Sequence, residues 1–210
     1  FGVFPTKSKT LNTTDANGRT TKSEYYTWSS STGQYTKSSE YNYTYNSQGK
    51  QTESIYQTTS NGTLVNSNRS VTEYNENGTT KKSTSYSWNS STNSWTQGNY
   101  TEYSYYTNTT NQSEVVSNNS NGVPTQRLHY TYTAANKIAT SETQTWDNTN
   151  NSWKPWWRTD RTYTSDDYTA SSTRNSYTPT KGYEEYDREL FEYKTVETSV
   201  NVRLTTSVFP

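Results

Sequence analysis

The chain has 210 residues, and its 19 basic and 19 acidic side chains cancel. Charge that is balanced, with no run of like sign, disfavours nucleic acid or an anionic membrane as partner. The lack of Cys excludes a disulfide framework and thiolate chemistry, and no stretch approaches the ~18 apolar residues that a spanning helix needs.

Only 26% of the residues are hydrophobic, and 21 of these are Tyr. Leu, Ile, Val and Phe together number 21, a share that usually marks a disordered chain. Against disorder stand the aromatics, at 15%, and the abundance of Thr, Tyr, Trp and Val, which favour a pleated, half-buried surface. The composition points to a folded all-β chain without a thick aliphatic core. The missing initiator Met suggests a processed or trimmed chain, consistent with a removed signal peptide, and the absence of Cys is compatible with export to an extracellular or cell-surface location.

Residues 1–12 read as a lead-in, and 13–177 as hairpin repeats. One class of turn recurs at Asn17-Gly18, Gln48-Gly49, Asn77-Gly78, near Asn108–Asn111, near Asn136 and at Asp166-Asp167. A second lies midway, at Thr32-Gly33, Asn61-Gly62, Thr92-Asn93, Asn121-Gly122 and Asn150-Asn151. Gly and Asn tolerate the positive φ of hairpin turns. Turns of one class recur about every 30 residues, which predicts an up-and-down antiparallel meander of about 10–12 strands. The sheet is expected to be either open or curled.

A longer period lies over this one. Trp28…Tyr35, Trp88…Trp95 and Trp146…Trp153 each hold six polar residues between two aromatics, with starts about 60 residues apart. The pattern predicts long aromatic-flanked loops alternating with tight turns at Asn61-Gly62 and Asn121-Gly122. Pairing Trp28 with Tyr35, Tyr45 with Lys50, Thr58 with Val65, Tyr74 with Thr79 and Trp88 with Trp95 sets a register. Strict alternation then puts Tyr26, Trp28, Tyr35, Tyr41, Tyr43, Tyr45, Tyr56, Val65, Val71, Tyr86, Trp88 and Trp95 on one face, with Tyr25 opposite. Ile138, Trp146, Trp153, Trp157 and Tyr163 repeat the parity further on. One face would be aromatic and the other wet.

Residues 178–210 depart from the repeat and read as a cap within the same body. Thr178–Gly182 is a break, Tyr183–Tyr193 has the spacing of a short amphipathic helix, and Val196–Leu204 alternates as a strand. Such a cap would cover the last sheet edge.

Trp146–Trp153, with the preceding Tyr-x-Tyr and Asn-Gly turns, resembles the secreted hairpin-repeat proteins of the Bacteroidetes. More distantly, it is similar to the tyrosine–aspartate repeats of large bacterial surface proteins. The likeness spans about residues 13–168; where those repeats place Asp after Tyr, this chain has Asn46, Asn75, Thr133 and Thr164. The resemblance implies an exported, surface-associated β-protein without catalysis.

Chemistry points the same way. His129 is the only His and lies in a strand-like stretch; no Cys/His cluster offers zinc ligands and no Gly-rich loop a phosphate cradle. Asp160, Asp166 and Asp167 lack EF-hand spacing, and Glu184 with Glu185 reads as a solvated face rather than a glycosidase pair. No enzyme, cofactor or metal is expected.

Two functions remain. One is a structural or adhesive surface protein. The other is a carbohydrate-binding module whose candidate ligand-binding residues are Trp28, Tyr35, Trp88, Trp95, Trp146, Trp153, Trp156 and Trp157, flat rings that stack on sugar faces. Val65 falls in the same predicted row. The partner would be a cell-surface or extracellular glycan or protein. Solvent-facing rings favour binding, and buried rings a scaffold.

Overall fold

The computed structural model describes residues 7–195 and 201–208, with side chains as far as Glu192. Every described element is a strand, and strands neighbour one another in chain order without a crossover. The predicted all-β meander is the observed fold. The chain divides into two compact units, one ending at Thr101 and one beginning at Glu102.

The first unit holds β1 (Ser8–Thr14), β2 (Thr20–Ser29), β3 (Gln34–Tyr45), β4 (Gln51–Ser60), β5 (Thr63–Tyr74), β6 (Thr80–Asn89) and the start of β7 (Ser94–Tyr105). The expected lead-in is therefore partly strand, because β1 pairs with β2 from Ser8 onward. The second unit continues with β8 (Gln112–Asn118), β9 (Pro124–Tyr132), β10 (Ile138–Asp147), β11 (Ser152–Tyr163), β12 (Thr169–Thr178), β13 (Gly182–Thr195) and β14 (Asn201–Val208).

The C-terminal section corrects the expected helix. Gly182–Thr195 pairs antiparallel with β12 and carries the meander on. Its Tyr and Glu residues fit helical spacing, but Tyr177 and Tyr183 make the same cross-strand contact as the earlier aromatic pairs, and that holds the segment extended. Val196–Val200 lies outside the described residues. The described strands number 14, above the predicted range.

The recurring turn is a five-residue unit. In the first, the Asp15 N–H bonds the Arg19 carbonyl, the Gly18 N–H bonds the Asp15 carbonyl, and Asp15 Oδ1 accepts from the N–H groups of Asn17 and Arg19. Asn46–Lys50 repeats all four bonds. The residue that turns left-handed is Gly18, Gly49, Gly78, Asn136 or Asp167, so this position wants Gly, Asn or Asp. Asn119–Val123 has the same geometry, which moves Asn121-Gly122 out of the tight-turn class. Asn61-Gly62 is a true two-residue turn, closed by Ser60 paired with Thr63.

Each described strand pair joined through a long loop also carries a bulge. Tyr25 pairs with Ser39 and Tyr26 with Lys37, which leaves Ser38 as the extra residue. By the same test Trp156 is extra on β11 and Tyr186 on β13, and β5 has Ser67 across its short turn. A one-residue insertion exchanges the faces of everything beyond it. Tyr41 and Tyr43 therefore share Tyr25's face, with Tyr41 and Tyr25 ring centroids 6.2 Å apart. Tyr45, Tyr56 and Val65 follow them, whereas Trp28, Tyr35, Tyr86, Trp88 and Trp95 stay together on the opposite face. In the second unit Trp157 and Tyr163 leave the face of Trp146 and Trp153 for the same reason. Both faces are aromatic, and the expectation of one wet face is overturned.

The interior is polar. Phe191 is the one buried hydrophobic residue among the described side chains, while Ser23, Glu40, Thr84, Asn118 and Asn175 are buried. In the first unit a hydrogen-bonded ladder crosses four strands: Lys37 bonds Glu24 and Glu40, Asn42 bonds Glu40 and Gln57, and Gln57 bonds Asn66. Burial acts to raise the Glu40 pKa, but hydrogen bonds from Lys37 and Asn42 and the charge of Lys22 outweigh it, so the carboxyl ionises below its usual range. In the second unit Arg127 joins Glu114 to Gln144, and Asn175 bonds Asp160. Fully partnered polar groups carry little burial penalty, which lets a sheet form around them.

Candidate functional site

The predicted aromatic pairs sit where each long loop closes. Ring centroids are 5.1 Å apart for Trp28–Tyr35, 5.0 Å for Trp88–Trp95 and 5.0 Å for Trp146–Trp153, with interplanar angles of 69°, 70° and 72°. Tyr177–Tyr183 adds a fourth at 5.3 Å and 70°. This edge-to-face arrangement is the one aromatic quadrupoles favour. All of these rings are half-buried. The loops beyond the two Trp–Trp pairs are capped by their first polar residue: Asn89 Oδ1 accepts the Ser91 N–H, and Asp147 Oδ1 accepts the Thr149 N–H. Hydrogen bonds from Lys154, Asn150 and the Thr149 N–H hold the Asp147 carboxyl far below the usual carboxylate range.

In the hairpins β2–β3, β4–β5 and β10–β11 the end away from the closing turn is tied by a Tyr hydroxyl. Tyr45 donates to the Thr20 carbonyl at 2.6 Å, Tyr74 to Gln51 at 2.8 Å and Tyr163 to Ile138 at 2.7 Å. Each is the last residue of its strand, and each acceptor is the first residue of the preceding strand. Cations cover several ring faces: Lys9 lies 5.4 Å from the Tyr35 centroid and Arg127 4.9 Å from Trp153. Rings held edge-to-face, with cations over them, are clamps more than open platforms.

Three aromatics do not fit that pattern. Trp156, Trp157 and Tyr186 cluster around the bulges of β11 and β13. Trp157 lies 6.2 Å from Trp156 at 66° and 5.2 Å from Tyr186 at 88°. Trp156 is 49% exposed and Tyr186 59%. Beside them Arg174 Nε donates to Asp187 Oδ1 at 2.9 Å, and a second bond completes a forked ion pair. Trp156 and Trp157 were candidates from the sequence; Tyr186 was missed, because it reads there as one turn of a helix. Its signal is the offset, since Ser38, Trp156 and Tyr186 each come three residues after the returning aromatic.

In the first unit a shallow depression of about 280 Å³ lies among Tyr41, Tyr56, Ser54, Asn68, Ser70 and Ser85. Tyr41 is flanked there by Tyr43, parallel within 3° at 5.8 Å, and by Tyr56 at 4.6 Å, so neighbouring rings take up much of its surface. The remaining ionisable candidates disperse. His129 is half-buried in β9, in register with Glu114 and Glu142. Asp160 bonds Arg158 and Asn175, Asp167 forms a turn, Glu184 pairs with Lys181, and Glu185 pairs with Arg188. Among the described residues no group of three or more His, Cys, Asp or Glu is placed to hold a metal, and no helix is long and apolar enough to cross a membrane.

No family model matches the chain, and no curated protein does. Among solved structures, a DUF3836 family protein from Bacteroides vulgatus is 15% identical over 55% of this chain and 87% of its own, with a TM-score of 0.30. A second DUF3836 protein, from Parabacteroides distasonis, is 17% identical over 54% of this chain and 79% of its own, with a TM-score of 0.29. The Photorhabdus luminescens Tc holotoxin pore covers 94% of this chain and 9% of its own at 16% identity, with a TM-score of 0.54. That last likeness is one of fold.

Proposed function

We propose that this chain is a non-enzymatic, exported surface protein whose repeats serve a structural or adhesive role. The observation that supports this is where the aromatic side chains are used. Six of the eight predicted ligand-binding residues, Trp28, Tyr35, Trp88, Trp95, Trp146 and Trp153, form edge-to-face clamps at loop ends. A clamp stabilises a hairpin whatever the solvent contains, so these residues answer to the fold. The reading of a row of sugar-stacking rings loses them and keeps only Trp156 and Trp157.

Protease shaving of intact source cells, followed by mass spectrometry of the released peptides, tests the placement. Release of peptides from the exposed loops, such as Asn89–Ser94, is the expected result. Peptides recovered only after lysis would overturn it.

A further inference from the structure

Aligning the hairpins by their clamps isolates what the fold does not require. The bulge residue and its successor are Ser38-Ser39 in β3, and the same offset in β7 holds Gly98-Asn99. In β11 the pair is Trp156-Trp157, and in β13 it is Tyr186-Asp187. A bulge that accepts Ser has no structural need of an indole. Leaving Trp156 and Tyr186 about half in water forgoes the hydrophobic gain that usually accounts for such side chains.

We infer that Trp156, Trp157 and Tyr186 form a binding site for a neutral saccharide. The two exposed rings offer faces for the C–H surface of a sugar, and among the described residues no cation lies over any of the three. The Arg174–Asp187 pair next to them supplies a donor and an acceptor for hydroxyls while adding no net charge of its own. That charge balance favours a neutral sugar over an acidic one. Size argues against a protein partner: large aromatic side chains span ~150–250 Å² each, so three partly exposed rings present less than the ~800 Å² per side of a stable protein interface. The inference goes beyond the structural reading above and can fail without it.

The test uses the full chain and its Trp156→Ser and Tyr186→Ser variants, which install the residue that β3 carries at Ser38. Affinity electrophoresis against soluble glucans, xylans and mannans, with calorimetry on any that retard the chain, reads binding; circular dichroism and thermal melting read folding. The expected result is retardation by at least one neutral polysaccharide, weakened roughly tenfold or more in each variant with melting unchanged. Three results would overturn the inference: no retardation by any polysaccharide, retardation that both variants retain, or concentration-dependent self-association that Trp156→Ser abolishes in place of sugar binding.

Discussion

The two units build the same hairpin with different side chains at its irregular point. In the first unit the bulges of β3 and β5 hold Ser38 and Ser67; in the second those of β11 and β13 hold Trp156 and Tyr186. The clamps differ far less, since Trp28–Tyr35, Trp88–Trp95 and Trp146–Trp153 agree closely in distance and angle. A clamp side chain is specified by the ring across from it, whereas a bulge specifies backbone geometry and leaves the outward side chain free. Side chains the fold leaves free are available to function.

The sharpest way to break this contrast is to remove a clamp. Trp88→Ala should lose about 3 kcal/mol or more, from a half-buried indole and its edge-to-face partner Trp95. Chemical denaturation of the full chain measures it, and a loss near zero would make the clamp ornamental.

Next comes the polar interior of the first unit. Glu40 is 5% exposed and holds Lys37, Lys22 and Asn42, so Glu40→Gln should cost about 2 kcal/mol near neutral pH. The pH dependence has a definite sign. A carboxyl whose folded pKa is lowered contributes its full stability above the unfolded value of 4.5 and loses it as pH falls through the folded value. Wild-type stability should therefore fall on acidification below that point, and Glu40→Gln should flatten part of the fall. Parallel curves for the two proteins would remove Glu40 from the explanation.

A smaller effect is expected at Gly98, at the bulge offset of β7. A Cβ there would lie 2.9 Å from Ser85 Oγ and 3.3 Å from the Ser85 carbonyl oxygen, while Ser85 Oγ bonds the Asn99 carbonyl. Gly98→Ser should cost about 1 kcal/mol, and adding Ser85→Ala should recover part of it. Simple additivity in the double-mutant cycle would show that this contact is not the constraint.

The smallest effect belongs to Trp156→Ser, expected to lie within about 0.5 kcal/mol of wild type. Thermal melting checks it. A larger loss would return Trp156 to the clamps and erase the difference between the units.

Much of the architecture was legible in the residues themselves. Recurring Gly and Asn marked the turns because few other residues accept positive φ, and the six-residue spacing of Trp88 and Trp95 marked a clamp because rings must meet across a loop. The candidate site was only half legible. Trp156 and Trp157 stood out by composition, but Tyr186 followed helical spacing and became its neighbour only when β12 and β13 paired.

Local chemistry thus determined the strands of the central repeat, their order and the loop-closing pairs, since each depends on residues close together in the chain. Tertiary pairing alone decided the faces. A bulge at Ser38 or Trp156 leaves no mark in the alternation of side chains, because it arises from how two facing backbones share hydrogen bonds. One extra residue in that sharing moved Tyr41, Tyr43 and Trp157 to the opposite side of the sheet.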